Sequence, residues 1–291
     1  MNLLSQFIWR QRTLFRRTIS LGGHRITLPA GHLLDWHRLR NRRYDEPIAE
    51  IAELLLRKHR APTMIDIGAN VGDTAALMAR SPEVAILCVE GNPKFLPLLR
   101  QNLATISPIS EIESSYVGAG EEAVAGCMRT YDGTATLVEG SGTVSMRSLA
   151  QVLASHARFQ RSRLLKIDTD GFDAKIVIAA SEIISTMKPI VHVEYSPIGP
   201  DGAEQECRSM IECLKNAGYT LFHVFDNFGN HMLRLPAEQT DHLRALNAYV
   251  RSCRNDLRPS VFYYDICALT PEDKDISDEL LRHYVEETPI V

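Results

Sequence analysis

From Asp45 to Arg60 apolar residues recur at helical spacing. Ile48, Ile51, Leu54 and Leu55 share one face, Pro47 suits a first turn, and Arg57, Lys58, His59 and Arg60 crowd the last one. The period then changes, and Thr63–Ile67 reads as a short buried strand. The alternation continues with a strand over 84–89 and a helix over 93–103, then a strand over 112–117. A strand over 163–168 and a helix over 172–187 follow, and after them a strand over 189–195 and a helix over 203–217. Strands alternating with helices predict a doubly wound, mostly parallel α/β sheet, with five parallel strands from these units alone. Strands over 219–225 and 261–269 flank a helix near 237–252, and the acidic tail 271–291 reads as helical in part. Between Gly118 and Ser145 the chain is rich in small residues and weakly periodic. That predicts a loop excursion or short strand pair over the strand ends, where substrate contacts often gather.

Composition narrows the class. With 291 residues, 45% hydrophobic and 23% charged, the chain can bury a large core, so disorder and fibres are excluded. No apolar run approaches the roughly 18 to 20 residues of a membrane span, and Arg10 and Arg12 interrupt the one candidate leader, so a soluble, cytoplasmic protein is expected. Six scattered cysteines, without a CxxC pair, fit a reducing compartment. The net charge of -4 is unevenly spread: residues 1–43 hold nine arginines and one acid, Asp35, a net of +8 against -12 for the remainder. We therefore expect a basic N-terminal extension over 1–45 and one domain over 46–291. Leu3, Leu4, Phe7, Ile8, Leu14 and Phe15 recur beside arginines in the extension, a pattern that suits its own acidic domain, an anionic membrane surface or a partner protein. Nucleic acid is not expected, because no recognition motif accompanies the charge. The sequence carries no signal for oligomeric state.

The chemistry concentrates in Asp66-Ile-Gly-Ala-Asn-Val-Gly-Asp73, which closes the first of these strands and opens a helix. Gly68 and Gly72 permit a tight turn and close ligand approach, beside the free amides of a helix start. A dinucleotide fingerprint would place glycine where Asn70 stands, and Asp66 and Asp73 would repel a pyrophosphate. The same two acids attract a sulfonium and an ammonium, so S-adenosylmethionine fits the loop better than NAD. Glu90 ends the next strand, at the distance where an acid accepts both ribose hydroxyls of S-adenosylmethionine or of NAD, and Ser115 to Gly118, including Val117, read either as a contact to the adenine or as a plain turn.

Four segments resemble the FkbM-type S-adenosylmethionine-dependent methyltransferases. They are Met64-Ile-Asp-Ile-Gly-Ala-Asn-Val-Gly72, Val89-Glu-Gly-Asn-Pro93, Leu165-Lys-Ile-Asp-Thr-Asp-Gly171, and Gly218-Tyr219 leading into Phe222-His-Val-Phe225. The resemblance spans roughly residues 62 to 270 and departs from the family at Asp170, where glutamate is usual. It implies a seven-stranded, Rossmann-like sheet and methyl transfer to a hydroxyl of a sugar, glycan or secondary metabolite. It also implies a cofactor site of Asp66, Gly68, Asn70, Gly72, Asp73, Glu90, Asn92 and Val117.

An alcohol needs a positioned base or a metal to become nucleophilic. Asp168, Asp170 and Glu194 stand at strand ends where such a base, a hydroxyl anchor or magnesium ligands would lie, and Asp170 also suits a helix cap. Lys166 and His192 interrupt apolar strands. A buried lysine needs partners, and Asp66, Asp168 or Glu194 would let it orient a carboxylate or join catalysis; His192 reads as a base or a satisfied core histidine. The competing functions are a binding protein of the same fold without turnover, and an NAD-dependent oxidoreductase.

Overall fold

The computed structural model describes residues 14–120, 122–131, 134–169, 171–199, 201–253 and 261–286. The chain opens with a hairpin, β1 (Arg17–Leu21) and β2 (His24–Leu28), followed by α1 (Leu34–Arg40) and α2 (Glu46–Lys58). The alternating core follows: β3 (Thr63–Ile67), α3 (Asp73–Met78), β4 (Ala85–Val89), α4 (Leu96–Ile106) and β5 (Glu111–Glu113). An excursion of β6 (Tyr116–Val117), β7 (Glu122–Tyr131) and β8 (Thr134–Arg147) then leads through α5 (Leu149–Ser155) to β9 (Leu164–Ile167). The remainder is α6 (Asp173–Ala179), α7 (Ser181–Met187), β10 (Ile190–Tyr195), α8 (Ala203–Asn216), β11 (Leu221–Asp226), β12 (His231–Pro236), α9 (Leu243–Cys253), β13 (Tyr264–Leu269) and α10 (Lys274–Leu281).

The main sheet has eight strands in the order β12-β11-β13-β10-β9-β3-β4-β5. The five from β10 to β5 run parallel, as the alternation predicts, and β13, β11 and β12 join antiparallel. The doubly wound α/β expectation holds, with one strand more than the seven implied. The eighth is β12, which pairs with the outer side of β11 through a turn that Asp226 holds, its Oδ1 receiving the N–H groups of Phe228 and Asn230 at 2.9 Å each. The segment 112–117 divides: β5 extends the main sheet, while β6 joins β7 and β8 in a separate three-stranded sheet. The long β7–β8 hairpin is the excursion expected over 118–145.

Strand periodicity sends alternate residues to two cores. Ile65, Ile67, Leu87, Val89, Leu165 and Ile167 pack with α5, α6 and α8. Met64, Ile86, Cys88 and Leu164 pack with the hairpin, α2, α3 and α10 on the other face. Cross-strand register on this second face aligns Cys88, Asp66, Lys166, His192, Cys267 and His223 in one row. Lys166 and His192 thus interrupt apolar strands because they neighbour one another and Asp66 across the sheet.

The described part of the basic extension packs into this second core. Leu21, Ile26, Leu28 and Leu34 are buried there. A β-carbon on Gly22 would meet the Ala76 carbonyl oxygen at 2.2 Å. The Asn102 side chain receives the Thr27 N–H at 2.8 Å and donates to the Thr27 and Val71 carbonyls, joining the hairpin to the glycine loop. Arg17 also spends its charge locally, on Asp35. Residues 1–13, where most of the amphipathic arginine pattern falls, lie outside the described residues. Among the described residues no helix is long and apolar enough to cross a membrane, and all six cysteines are free.

Candidate active site

A cavity of about 350 Å³ opens at the C-terminal edge of the parallel strands, where ligands of doubly wound sheets bind. Of the residues singled out in the sequence, Gly68, Asn70, Asp73, Glu90, Val117, Lys166, Asp168 and Glu194 line it. The others take different places. Asp66 is fully buried beneath the floor. Gly72 sits at the start of α3 with φ 86°, its missing β-carbon facing Leu99 at 3.1 Å. Asn92 is buried beside Glu90, and its Oδ1 accepts the Lys94 N–H at 3.0 Å. Asp170 lies outside the described residues.

Backbone shape explains the loop. Gly68 has φ 84°, and a β-carbon there would fall 1.8 Å from the Asp168 carbonyl oxygen. Only glycine lets the turn after β3 pass this close to the end of β9. Asn70, at φ 49°, holds a second left-handed position. Glu90 ties this turn to the end of β4: Oε2 accepts the Asn70 N–H at 2.9 Å and Oε1 accepts the Asn92 N–H at 2.6 Å. Burial raises its pKa to about 7 against the pull of those two bonds. Tyr116 stacks so tightly on Gly91 that a β-carbon would meet its ring at 2.3 Å. Glu90, Phe95, Tyr116 and Val117 all line the cavity, so aromatic and apolar side chains stand there beside a carboxylate.

The cavity is also acidic, with Asp45, Asp73, Asp168 and Glu194 in its lining. Lys166 Nζ lies 3.3 Å from both Asp66 Oδ1 and Asp168 Oδ2. Burial opposes its charge, but Asp168, Asp66, Asp73 and Asp45 outweigh that and hold its pKa well above the ordinary lysine value. Burial raises Asp66 to about 6 in spite of Lys166. Asp168 itself is half exposed at the side chain and free to meet a ligand. His192 is buried beside Lys166, does not line the cavity, and is pushed down to about 4 by burial and then by the lysine charge. It is a neutral core residue. His223 is likewise committed, to His231 at 3.0 Å and Ser277 at 2.8 Å.

Sequence reasoning missed several contributors. Asp173 accepts the Thr169 N–H at 2.7 Å and the Gly171 N–H at 3.1 Å, fixing the turn that carries Asp168. An acid in the first turn after a Thr-x-Gly stretch was the available signal. His32, His37, Tyr44, Asp45 and Tyr263 also line the cavity, and nothing local marks them. Among the described residues the one group of three side chains at metal-ligand spacing is Glu46, Glu50 and His283, none of which lines the cavity. Asp168 and Glu194 are not part of such a group, and Asp170, the third magnesium ligand expected, lies outside the described residues.

No curated protein matches the chain. Among solved structures it is similar to the methyltransferase FkbM of Methylobacillus flagellatus at 13% identity and TM-score 0.35, covering 71% of this chain and 43% of that one. It thus spans less than half of that protein. The O-methyltransferase TomG of Streptomyces achromogenes, solved with SAM, is 12% identical with TM-score 0.41 over 77% of this chain and 80% of that one. The O-methyltransferase of Bacillus cereus, solved with SAH, is 11% identical with TM-score 0.40 over 76% and 80%. The Methyltransferase FkbM domain matches residues 66–221, more than half of the sequence and the whole stretch from the glycine loop through Glu90, Lys166, Asp168 and Glu194, and the chain belongs to that family.

Proposed function

We propose that the protein transfers the methyl group of S-adenosylmethionine to a hydroxyl of a small acceptor, a sugar, glycan unit or secondary metabolite. The observation that carries this reading is one cavity whose lining brings Glu90 and the glycine loop together with Asp168 and Glu194. The adenosine lies beside Phe95, Tyr116 and Val117, with its ribose hydroxyls donating to Glu90. Gly68, Asn70 and Asp73 face the methionine part, whose ammonium and sulfonium the surrounding acids favour.

Transfer forms a C–O bond to the acceptor oxygen as the C–S bond breaks, and the electron pair stays on sulfur. The hydroxyl proton passes to Asp168, and the products are a methyl ether and S-adenosylhomocysteine. Lys166 holds the Asp168 carboxylate at 3.3 Å, so it is a positioning residue. No step is routed through a metal.

The test is Asp168→Asn, which keeps shape and removes the base. Turnover falls by roughly 10²- to 10⁴-fold with little change in cofactor affinity, and activity is indifferent to a chelator. Near-normal turnover in the folded variant contradicts the role of Asp168, and loss of activity in chelator contradicts the metal-free step.

A further inference from the structure

The family match begins at residue 66, yet the cavity reaches outside it. His32, from the segment between β2 and α1, is part of its lining. The contacts that fix the hairpin also seat this segment. Asn102 joins Thr27 to the Val71 carbonyl, so β2 is tied to the glycine loop itself. His32 follows shortly after the end of β2 and is only 5% exposed.

The ring is held in one tautomer. Its Nδ1 accepts the Leu34 N–H at 3.3 Å, which leaves the ring hydrogen on Nε2. Burial lowers its pKa further than Asp73, Asn70 and Asp35 raise it, so it is uncharged near neutral pH and has that one N–H to give. The recipient is the Asn70 side chain. Its hydrogen bond favours the protonated ring, so the Asn70 oxygen is the accepting atom. The Asn70 main chain is fixed as well, at φ 49° and with its N–H donated to Glu90 at 2.9 Å. A carboxamide has one accepting and one donating end, and a partner on the first decides where the second points. What a donor meets at this loop follows from the charges of the cofactor. Its methionine part carries a carboxylate beside the ammonium and the sulfonium, and Asp73, Asp168 and Glu194 favour the two cations alone. Lys166 is held between Asp66 and Asp168.

Resting on the methyltransferase reading above, we propose that His32 is a positioning residue of the cofactor site: it holds the Asn70 amide so that Nδ2 donates to the methionine carboxylate of S-adenosylmethionine. The segment ahead of the family domain thereby completes a site that the domain begins. Without the His32 N–H the amide is free to turn, and its oxygen would then face and repel the carboxylate that its nitrogen binds.

The test compares two ligands that differ by one group, S-adenosylmethionine and decarboxylated S-adenosylmethionine, each titrated calorimetrically into the full chain and its variants. His32→Leu removes both ring nitrogens. It weakens S-adenosylmethionine about tenfold, the loss of a hydrogen bond to a charged group, and leaves the decarboxylated ligand within about twofold of wild type. His32→Gln keeps an N–H donor and returns S-adenosylmethionine to within about threefold of wild type. A merely structural role would cost both ligands alike and would not be rescued by glutamine. Should His32→Leu fail to fold, Asn70→Asp draws the same distinction, because aspartate tolerates the left-handed φ and sets an acceptor before the carboxylate. It weakens S-adenosylmethionine at least about tenfold and spares the decarboxylated ligand. Unchanged S-adenosylmethionine affinity in a folded His32→Leu protein, equal loss of both ligands in either variant, or no recovery in His32→Gln overturns the proposal. Failure of the wild-type chain to bind either ligand counts instead against the methyltransferase reading.

Discussion

Gly68 and Asp168 touch through their backbones: the α-carbon of one faces the carbonyl oxygen of the other so closely that a single added methyl group would fall 1.8 Å from it. The glycine loop and Asp168, one hundred residues apart in the chain, are therefore held as a unit by the β3–β9 pairing. Gly68→Ala introduces both this clash and a left-handed alanine. It should destabilise the fold by at least about 2 kcal/mol and abolish cofactor binding, as read by urea denaturation and by titration. Wild-type stability in that variant contradicts the loop geometry.

Lys166 and Asp66 form a buried pair beneath the same floor. Lys166→Met strands a carboxylate in the core, and removing one partner of such a pair costs about 3 to 5 kcal/mol. Lys166→Met combined with Asp66→Asn should recover at least half of the loss, because no charge is left unpaired. Equal destabilisation of the single and double variants would show that packing, and not charge, is what Lys166 supplies.

Two buried acids set a pH dependence. Burial raises Asp66 to about 6 and Glu90 to about 7, whereas both titrate near 4 in the unfolded chain. Between those values the folded protein holds more protons than the unfolded one. These groups therefore contribute stability at low pH that is lost as pH rises from about 4 to about 7. The unliganded chain should lose part of its stability over that window, and Glu90→Gln should flatten the slope. Cofactor affinity should move the opposite way, rising from pH 6 to pH 8 as Glu90 ionises and can accept both ribose hydroxyls. Denaturation with and without S-adenosylmethionine across that range checks both signs.

Much of this was legible in the sequence, and for physical reasons. Parallel strands buried on both faces read as unbroken apolar runs, so β3, β4, β9 and β10 appear within a residue or two of their observed bounds. The glycine loop is legible because its φ values and close approaches leave no other residue type. The unpredicted features depend on distant contacts. The β1–β2 hairpin lies within a stretch whose arginines dominate its composition, and Asn102 and Ala76, far along the chain, are what hold it. Strand β12 is an edge strand of mixed polarity defined by its partner β11. Tyr44, Asp45 and Tyr263 reach the cavity only through the packing of α2 on α3 and the pairing of β13 with β10, and no local pattern encodes that.

The identity of the adenosine cofactor that enters the cavity decides between methyl transfer and hydride transfer. Calorimetric titration of the full chain with S-adenosylmethionine, S-adenosylhomocysteine and NAD, repeated on Glu90→Gln, decides it. We predict that the first two bind and NAD does not. Glu90→Gln should weaken both by roughly 10- to 150-fold, the loss of a charged acceptor worth about 1.5 to 3 kcal/mol. Binding of NAD in preference to S-adenosylmethionine, or unchanged S-adenosylmethionine affinity in a folded Glu90→Gln protein, contradicts it.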